Sequence, residues 1–172
     1  MSKSLSASWF DRPTLDVARE LIGMDLCRRM PDGSILRLTI NETEAYDGPE
    51  DRACHASKGR TPRNAVMFGP AGHYYVYLCY GVHWLLNIVT GPEDYPAAVL
   101  LRGAGEANGP GKLTKRMAIS KEQNLHPVAE ASGLWVEPNG MVAESDILRT
   151  PRIGIDYAGE HWANVPYRFL LK

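Results

Sequence analysis

Two glutamates, Glu42 and Glu44, follow a stretch of alternating residues that is typical of a β-strand. Bulky apolar residues alternate with more polar ones from Ile35 to Ile40, and successive side chains of a strand point to opposite faces. This spacing predicts that both glutamates continue the apolar face of Leu38 and Ile40. Loss of hydration there raises the pKa of a carboxylate toward the range useful for proton transfer. The pair is a candidate for acid–base chemistry; the alternative is two solvated side chains where the strand leaves the core.

The segment 47–70 is rich in Gly, Pro, Asp and Arg, which predicts a functional loop with at most a short helical turn. Arg60 and Arg63 lie in this loop without an acidic residue between them, and they are candidates for phosphate contacts. His55 lies in the same loop. The residues alone favour a structural role for His55 over a catalytic one.

Residues 73–89 combine β-branched and aromatic side chains around Gly81, which predicts two strands joined by a tip. Tyr75 and Tyr77 share one face of the first strand. Such a row is more often part of a core, but nucleic-acid bases also stack on aromatic faces. Asn87 stands among apolar residues, where a buried amide must find hydrogen bonds.

A further apolar strand is predicted from Ala97 to Arg102. Its last residue, Arg102, is a candidate partner for a carboxylate or for DNA. Lys112 follows a glycine-rich stretch that resembles a phosphate-binding loop. The required positions fail, however, because Glu106 stands where that loop needs its first Gly and Leu113 where it needs Ser or Thr. Nucleotide hydrolysis is therefore excluded.

The composition is that of one globular domain. The chain has 172 residues, of which 44% are hydrophobic and 23% charged, so a single domain over residues 1–172 is expected. No apolar run approaches the roughly 18 residues needed to span a bilayer, and the start lacks the apolar core of a signal peptide. Three widely spaced cysteines without a Cys-x-x-Cys pair favour neither disulfides nor zinc. An intracellular monomer without a metal or cofactor is expected, in the bacterial cytoplasm and nucleoid or in a eukaryotic nucleus.

The net charge of −1 gives no general attraction to nucleic acid, but the charges are unevenly distributed. Basic residues cluster at 52–63 and 112–121, whereas residues 123–148 contain acidic residues without a Lys or Arg until Arg149. Such a bipolar chain can present one basic face to a duplex. Runs of this size are otherwise ordinary solvated surface.

The elements predict an α+β fold. Pro13 begins a helix that ends near Gly23, a short strand covers 25–30, and Pro31-Asp32-Gly33-Ser34 turns the chain into the strand that carries the glutamates. We expect a single domain built on a curved, mainly antiparallel β-sheet with surrounding helices.

Motifs along nearly the whole chain resemble the alkyladenine (3-methyladenine, or methylpurine) DNA glycosylase family. The resemblance rests on their order and spacing more than on any single motif. They are Glu-Thr-Glu-Ala-Tyr at 42–46, His55, Arg-Thr-Pro-Arg-Asn at 60–64, Tyr-Val-Tyr at 75–77, Tyr-Gly at 80–81, Asn-Ile at 87–88, Val-Leu-Leu-Arg at 99–102, Gly-Pro-Gly-Lys-Leu at 109–113 and Pro-Arg-Ile-Gly-Ile at 151–155.

The resemblance implies removal of alkylated or deaminated purines from double-stranded DNA. The expected substrates are 3-methyladenine, 7-methylguanine, hypoxanthine and ethenoadenine. Glu44 matches the family's catalytic glutamate, which activates water to hydrolyse the N-glycosidic bond, and Arg102 matches the site arginine; Glu42 would orient or support. No lysine stands at a nucleophile position, so a monofunctional enzyme that leaves an abasic site is expected.

The resemblance also assigns binding roles. Tyr46, His55 and Tyr77 match the stacking pocket for the flipped base, which reverses the structural preference for His55, and Asn87 matches the residue that excludes guanine. Tyr80 beside Gly81 matches the tyrosine inserted into the duplex. Together with the charge pattern, this gives the expected DNA-binding residues as Tyr80, Gly81, Arg60, Arg63 and Lys112.

Two other functions fit some of these observations. A non-catalytic nucleic-acid-binding module would bind without releasing a base and gives no reason for acids on an apolar face. A carbohydrate glycosidase would use Glu42 and Glu44 as a pair, but side chains on one face of one strand project in parallel and do not flank a sugar.

Overall fold

A mainly antiparallel sheet of nine strands organises the protein, whose computed structural model describes residues 4–172. The predicted α+β class is confirmed. The strands are β1 (Asp25–Arg29), β2 (Ile35–Asp47), β3 (Tyr74–Cys79), β4 (His83–Val89), β5 (Ala97–Ala104), β6 (Ala107–Asn108), β7 (Leu134–Glu137), β8 (Ile147–Thr150) and β9 (Arg168–Leu171). The helices are α1 (Ala7–Phe10), α2 (Thr14–Leu21), α3 (Pro110–Arg116) and α4 (Glu160–Asn164).

The main path through the sheet runs β3-β4-β5-β2-β1-β7. Strand β2 holds the two halves together: its first part pairs with β1, and its second part pairs with β5 on one side and β9 on the other. The predicted hairpins β1–β2 and β3–β4 are confirmed. The predicted loop at 47–70 contains one short 3-10 helix, Ala65–Phe68.

A β-bulge interrupts β2 immediately before the glutamates. Ile40 lies opposite Ala104 in β5, Glu42 lies opposite Gly103, and the register shifts again before Thr43. An extra residue in one strand reverses the alternation of the side chains that follow it. The bulge therefore decides which face of the sheet each glutamate occupies.

The predicted placement of the glutamates on the face of Leu38 and Ile40 is wrong. Beyond the bulge it is Ala45 that packs in the same apolar cluster as Leu38 and Ile40. The glutamates point to the other face, because Ala45 lies between Glu44 and Tyr46 in a regular strand. The first face carries the core against α2 and α3, and the second face carries the candidate site.

Within residues 4–172, no helix is long and apolar enough to cross a membrane.

Thr43 tests the register after the bulge. Its buried hydroxyl donates to the carbonyl oxygen of Ala18 in α2 at 2.8 Å. Thr43→Val keeps the shape and leaves that carbonyl without this donor, so we expect the free energy of unfolding to fall by about 1–3 kcal/mol in urea titrations. Thr43→Ser keeps the donor and should lose less. Equal stability of the valine variant and the wild type would contradict the register.

Candidate active site

A cavity of about 610 Å³ opens on the sheet face opposite the main core. Strands β2, β3, β4 and β5 contribute its floor, the loop 47–70 contributes one side, and residues 153–157 contribute another. Small-molecule sites commonly have volumes of about 300–1,000 Å³ and combine apolar walls with a few polar groups. The cavity has the size and character of a ligand-binding site.

Aromatic rings line one part of the cavity. The His55 and Tyr77 ring centroids are 4.4 Å apart, and those of Tyr75 and Tyr77 are 5.2 Å apart. Nδ1 of His55 lies 3.0 Å from the Tyr75 hydroxyl. Tyr46 lines the same cavity from β2. The structure thus brings the predicted stacking residues Tyr46, His55 and Tyr77 together.

The His55 ring favours its neutral form. Its pKa is lowered, first by loss of hydration beside the tyrosines and second by the positive charge of Arg63. A neutral imidazole presents an aromatic face without adding a positive charge to the cavity. The ring can therefore stack on a cationic ligand without repelling it.

Glu44 is fully enclosed immediately behind the cavity wall. Its Oε1 accepts a hydrogen bond from the Tyr46 hydroxyl at 2.8 Å, and its Oε2 accepts one from the backbone N–H of Ile153 at 2.7 Å. Burial is the largest influence on this carboxyl and raises its pKa, while Arg102, these two donors and Arg152 partly oppose the rise. Such a carboxylate is a better proton acceptor than a solvated one.

Arg102 connects the two glutamates. Its Nε donates to Oε2 of Glu42 at 3.2 Å and lies 3.9 Å from Oε2 of Glu44. Nε of Arg168 in β9 also donates to Oε2 of Glu42, at 2.6 Å. Glu42 is thus occupied by two guanidinium groups, whereas Glu44 faces the cavity-lining residues Tyr46, Arg102 and Ile153.

Asn87 is buried in the cavity floor. Its Nδ2 donates to the Tyr75 carbonyl oxygen at 3.1 Å across the β3–β4 pair. This bond holds the amide group in a fixed orientation. The prediction that the buried Asn87 amide must form a hydrogen bond is confirmed.

Tyr80 and Gly81 form the tip of the β3–β4 hairpin at the cavity mouth. Both residues have a left-handed backbone, with φ of 52° and 66°, a conformation that costs a tyrosine energy. The Tyr80 side chain is 92% exposed, and the neighbouring Val82 is 68% exposed. The tip therefore projects two apolar side chains into solvent.

The three predicted cations differ in their relation to the cavity. Lys112, in the first turn of α3, lines the cavity directly. The Arg63 guanidinium lies over the Tyr77 ring at 5.2 Å and donates to the Leu78 carbonyl oxygen at 2.8 Å. The Arg60 guanidinium lies over the Phe68 ring at 5.0 Å, and neither arginine lines the cavity.

The polar groups from the C-terminal part of the chain that lie beside Glu44 were not predicted from the sequence. Ile153 carried no predicted role of its own, yet its N–H binds the carboxylate. Arg152 and its partner Asp51 form a buried pair next to the site. The only signal was the Pro-Arg-Ile-Gly-Ile motif at 151–155, which the resemblance used without a role.

Across residues 4–172, no group of three or more His, Cys, Asp or Glu side chains could hold a metal ion.

Comparisons with known proteins agree over most of the chain. The sequence matches the family described as Methylpurine-DNA glycosylase (MPG) over residues 8–107 and 105–172. It is 47% identical to a protein of Methanocella arvoryzae over 96% of this chain and 90% of that protein. It is 43% identical to one of Psychrobacter cryohalolentis over 93% and 88%, respectively. Both relatives carry the name "Putative 3-methyladenine DNA glycosylase".

The raised pKa of Glu44 predicts a pH-dependent gain in stability for Glu44→Gln. Because the folded-state pKa lies above the ordinary value of 4.5, the stability of the wild type falls as the pH rises through that folded-state pKa. The glutamine amide can accept from the Ile153 N–H and donate to the Tyr46 hydroxyl, so it avoids the buried charge. We expect the variant to unfold at higher urea than the wild type at pH 7.5, and the difference to close at pH 4.

Glu42→Gln is the matched control for this measurement. It removes the anion shared by Arg102 and Arg168, so it should lower stability at pH 7.5. A gain for Glu44→Gln that is equally large at both pH values would contradict the burial of a disfavoured charge.

Proposed function

This chain belongs to the methylpurine-DNA glycosylase family, and we propose that it excises damaged purines from double-stranded DNA by hydrolysing the N-glycosidic bond. One observation carries the proposal: the desolvated Glu44 carboxylate lies directly behind an aromatic cavity that has room for a purine. The substrates are 3-methyladenine, 7-methylguanine, hypoxanthine and ethenoadenine. The product is an abasic site, and the protein acts inside the cell, where the DNA is.

Glu44 acts on the sugar side of the bond. Cleavage leaves positive charge on the sugar ring, and a carboxylate can both stabilise this charge and deprotonate the attacking water. A carboxylate offers about four acceptor positions, of which Tyr46 and Ile153 take two. In the proposed reaction the attacking water takes one of the remaining acceptor positions. Arg102 steadies the carboxylate from the cavity side.

The aromatic residues recognise the base. A methylated purine can carry a positive charge, which is attracted to the electron-rich faces of Tyr46 and Tyr77. The lowered pKa of His55 supports this role, because a neutral ring does not repel the charged base. An undamaged purine lacks this added attraction.

The base must leave the duplex to reach Glu44. Tyr80 at the hairpin tip fills the space vacated in the duplex, and the left-handed Gly81 lets the backbone approach the groove. Arg60, Arg63 and Lys112 contact phosphates on either side of the cavity mouth. The protein acts as a monomer.

The carbohydrate glycosidase alternative requires two free carboxylates. Glu42 is held by Arg102 and Arg168, so it is not available as the second group. The non-catalytic module differs from the proposal in its products, because it would bind DNA and release nothing.

A base-release assay tests the proposal. Duplexes with each of the four lesions are incubated with the protein, and free base is measured by chromatography. We expect free base, an abasic strand that breaks only after alkali, and no covalent adduct after borohydride treatment, as for a monofunctional enzyme. Binding without free base would contradict the proposal in favour of the non-catalytic module, and a borohydride adduct would contradict monofunctional hydrolysis.

Tyr80→Ser tests insertion into the duplex. Unstacking costs a few kcal/mol, least for a base that is already unpaired, and the variant loses the side chain that offsets this cost. We expect the single-turnover rate to fall more for a lesion in a paired duplex than for the same lesion in single-stranded DNA. Tyr157→Ser is the matched control, since Tyr157 is also an exposed tyrosine that lines the cavity. Equal losses on both substrates would make Tyr80 a pocket residue.

Asn87→Ser tests discrimination against guanine. The fixed amide conflicts with the exocyclic amine of guanine, and the smaller serine relieves this conflict. Release of undamaged guanine relative to 7-methylguanine should rise by about 10-fold or more, at some cost in stability. Asn108→Ser removes an amide elsewhere in the cavity and should leave the ratio unchanged. An unchanged ratio in the Asn87 variant would mean that another residue excludes undamaged guanine.

A further inference from the structure

Arg152 forms an enclosed ion pair beside Glu44, and both partners have fully buried side chains. Nη1 of Arg152 donates to Oδ2 of Asp51 at 2.6 Å, and Nη2 donates to Oδ1 at 3.0 Å. Asp51 also accepts from the backbone N–H groups of Asp47 and Ala53, both at 3.0 Å. The pair joins the loop that follows β2 to the segment that follows β8.

The Arg152 guanidinium also touches the strand and ring that support Glu44. It lies 4.9 Å from the centroid of the Tyr46 ring on one side and 5.1 Å from that of Tyr167 on another. Nη1 donates to the Ala45 carbonyl oxygen at 2.9 Å, between Glu44 and Tyr46 in the chain. The next residue after Arg152 supplies the N–H bound by Glu44.

Stability alone does not account for this arrangement. Burying two charges costs several kcal/mol per ion before their attraction is counted, and apolar residues of similar volume often serve as well. Nε of Arg152 is also the one buried side-chain nitrogen or oxygen without a hydrogen-bond partner in the described part of the chain. The buried position of the Arg152 guanidinium is better explained by the neighbouring groups that it holds in place.

We propose that Arg152 is a positioning residue that holds both hydrogen-bond donors of Glu44, the Tyr46 hydroxyl through its ring and the Ile153 N–H through the adjacent peptide. Asp51 binds the guanidinium through two hydrogen bonds and so fixes its orientation. In this orientation Arg152 contacts both the Tyr46 ring and the Ala45 carbonyl oxygen. The inference rests on the proposed role of Glu44 as the base. It gives the segment 151–155 a function, because this segment supplies both Arg152 and the Ile153 N–H that binds Glu44.

Positioning has a measurable electrostatic consequence. The two donors and the charge of Arg152 all lower the pKa of Glu44 against the effect of burial. Displacing Arg152 therefore raises that pKa, so that Glu44 becomes an ionised base only at higher pH. The other titratable or charged groups around Glu44 are Glu42 and Tyr46 on β2, Tyr77 on β3, Arg102 on β5, Arg168 on β9 and Tyr157 near α4.

The test compares Arg152→Lys, which keeps the charge but loses the planar fork, with Arg152→Gln, which loses both. We expect single-turnover base release to fall by about 10²-fold in each, with unchanged DNA affinity, since small misplacements near a reacting centre have effects of this size. The acid limb of the rate profile should move to higher pH, further for the glutamine variant.

Arg149 provides the matched control. It pairs with Glu144 at 2.6 Å and lies over the Phe169 ring at 5.1 Å, but it is exposed and contacts neither Glu44 nor Tyr46. Arg149→Lys and Arg149→Gln should leave rate and acid limb unchanged. Arg152 variants that are folded by thermal unfolding and keep the rate and acid limb of these controls would overturn the inference.

A second readout does not depend on catalysis. The protein is labelled with ¹³C at the glutamate side-chain carboxyl carbon, the Glu44 signal is assigned by its loss in Glu44→Gln, and its titration is followed. The midpoint should rise in Arg152→Lys. Asp51→Asn keeps the shape of the pair and serves if the Arg152 variants do not fold; because it removes an anion next to Arg152, its readout is the fall in base release and not the midpoint.

The two readouts separate the two proposals. A wild type that releases no base while the Glu44 midpoint still shifts would overturn the proposed function alone. Base release with a midpoint unmoved in the folded variants would overturn the positioning role alone.

Discussion

The burial of one carboxylate, that of Glu44, is the constraint on which the rest of the site depends. A charged group removed from water is costly unless hydrogen bonds and opposite charges replace its hydration. The bulge in β2 turns this side chain away from the main apolar cluster and toward the cavity wall, where such groups are within reach. The Tyr46 hydroxyl and the Ile153 N–H then replace part of the lost hydration.

The charges behind the cavity form a balanced set. Three guanidinium groups face three carboxylates: Arg102 and Arg168 share Glu42, Arg152 pairs with Asp51, and Arg102 also approaches Glu44. When Glu44 is ionised, this cluster has no net charge. The arrangement lets Glu44 keep a negative charge near the cavity without placing unpaired arginines against a cationic base. The proposed chemistry needs both a negatively charged Glu44 and a cavity without unpaired positive charge.

Much of this structure follows from local sequence signals. The hairpin turn at Pro31–Ser34, the tip at Gly81 and the aromatic row of β3 were all predictable, because turn chemistry and strand alternation act over a few residues. The face of Glu44 was not predictable, because a bulge depends on pairing with β5 and leaves no composition signal in β2. The Ile153 N–H that binds Glu44 and the Arg152 guanidinium that binds the neighbouring Ala45 carbonyl come from more than a hundred residues away, and only the folded chain brings them to this strand.

The most direct test of Glu44 as the base is the pH dependence of single-turnover release of hypoxanthine, a lesion that carries no positive charge of its own. In the wild type the rate should rise with pH through one ionisation and then level. In Glu44→Gln it should fall by about 10²–10⁴-fold and lose this rise, whereas Glu42→Gln should keep the rise with a smaller loss. A Glu44→Gln variant that retains the rise, or a larger loss in Glu42→Gln, would contradict the account.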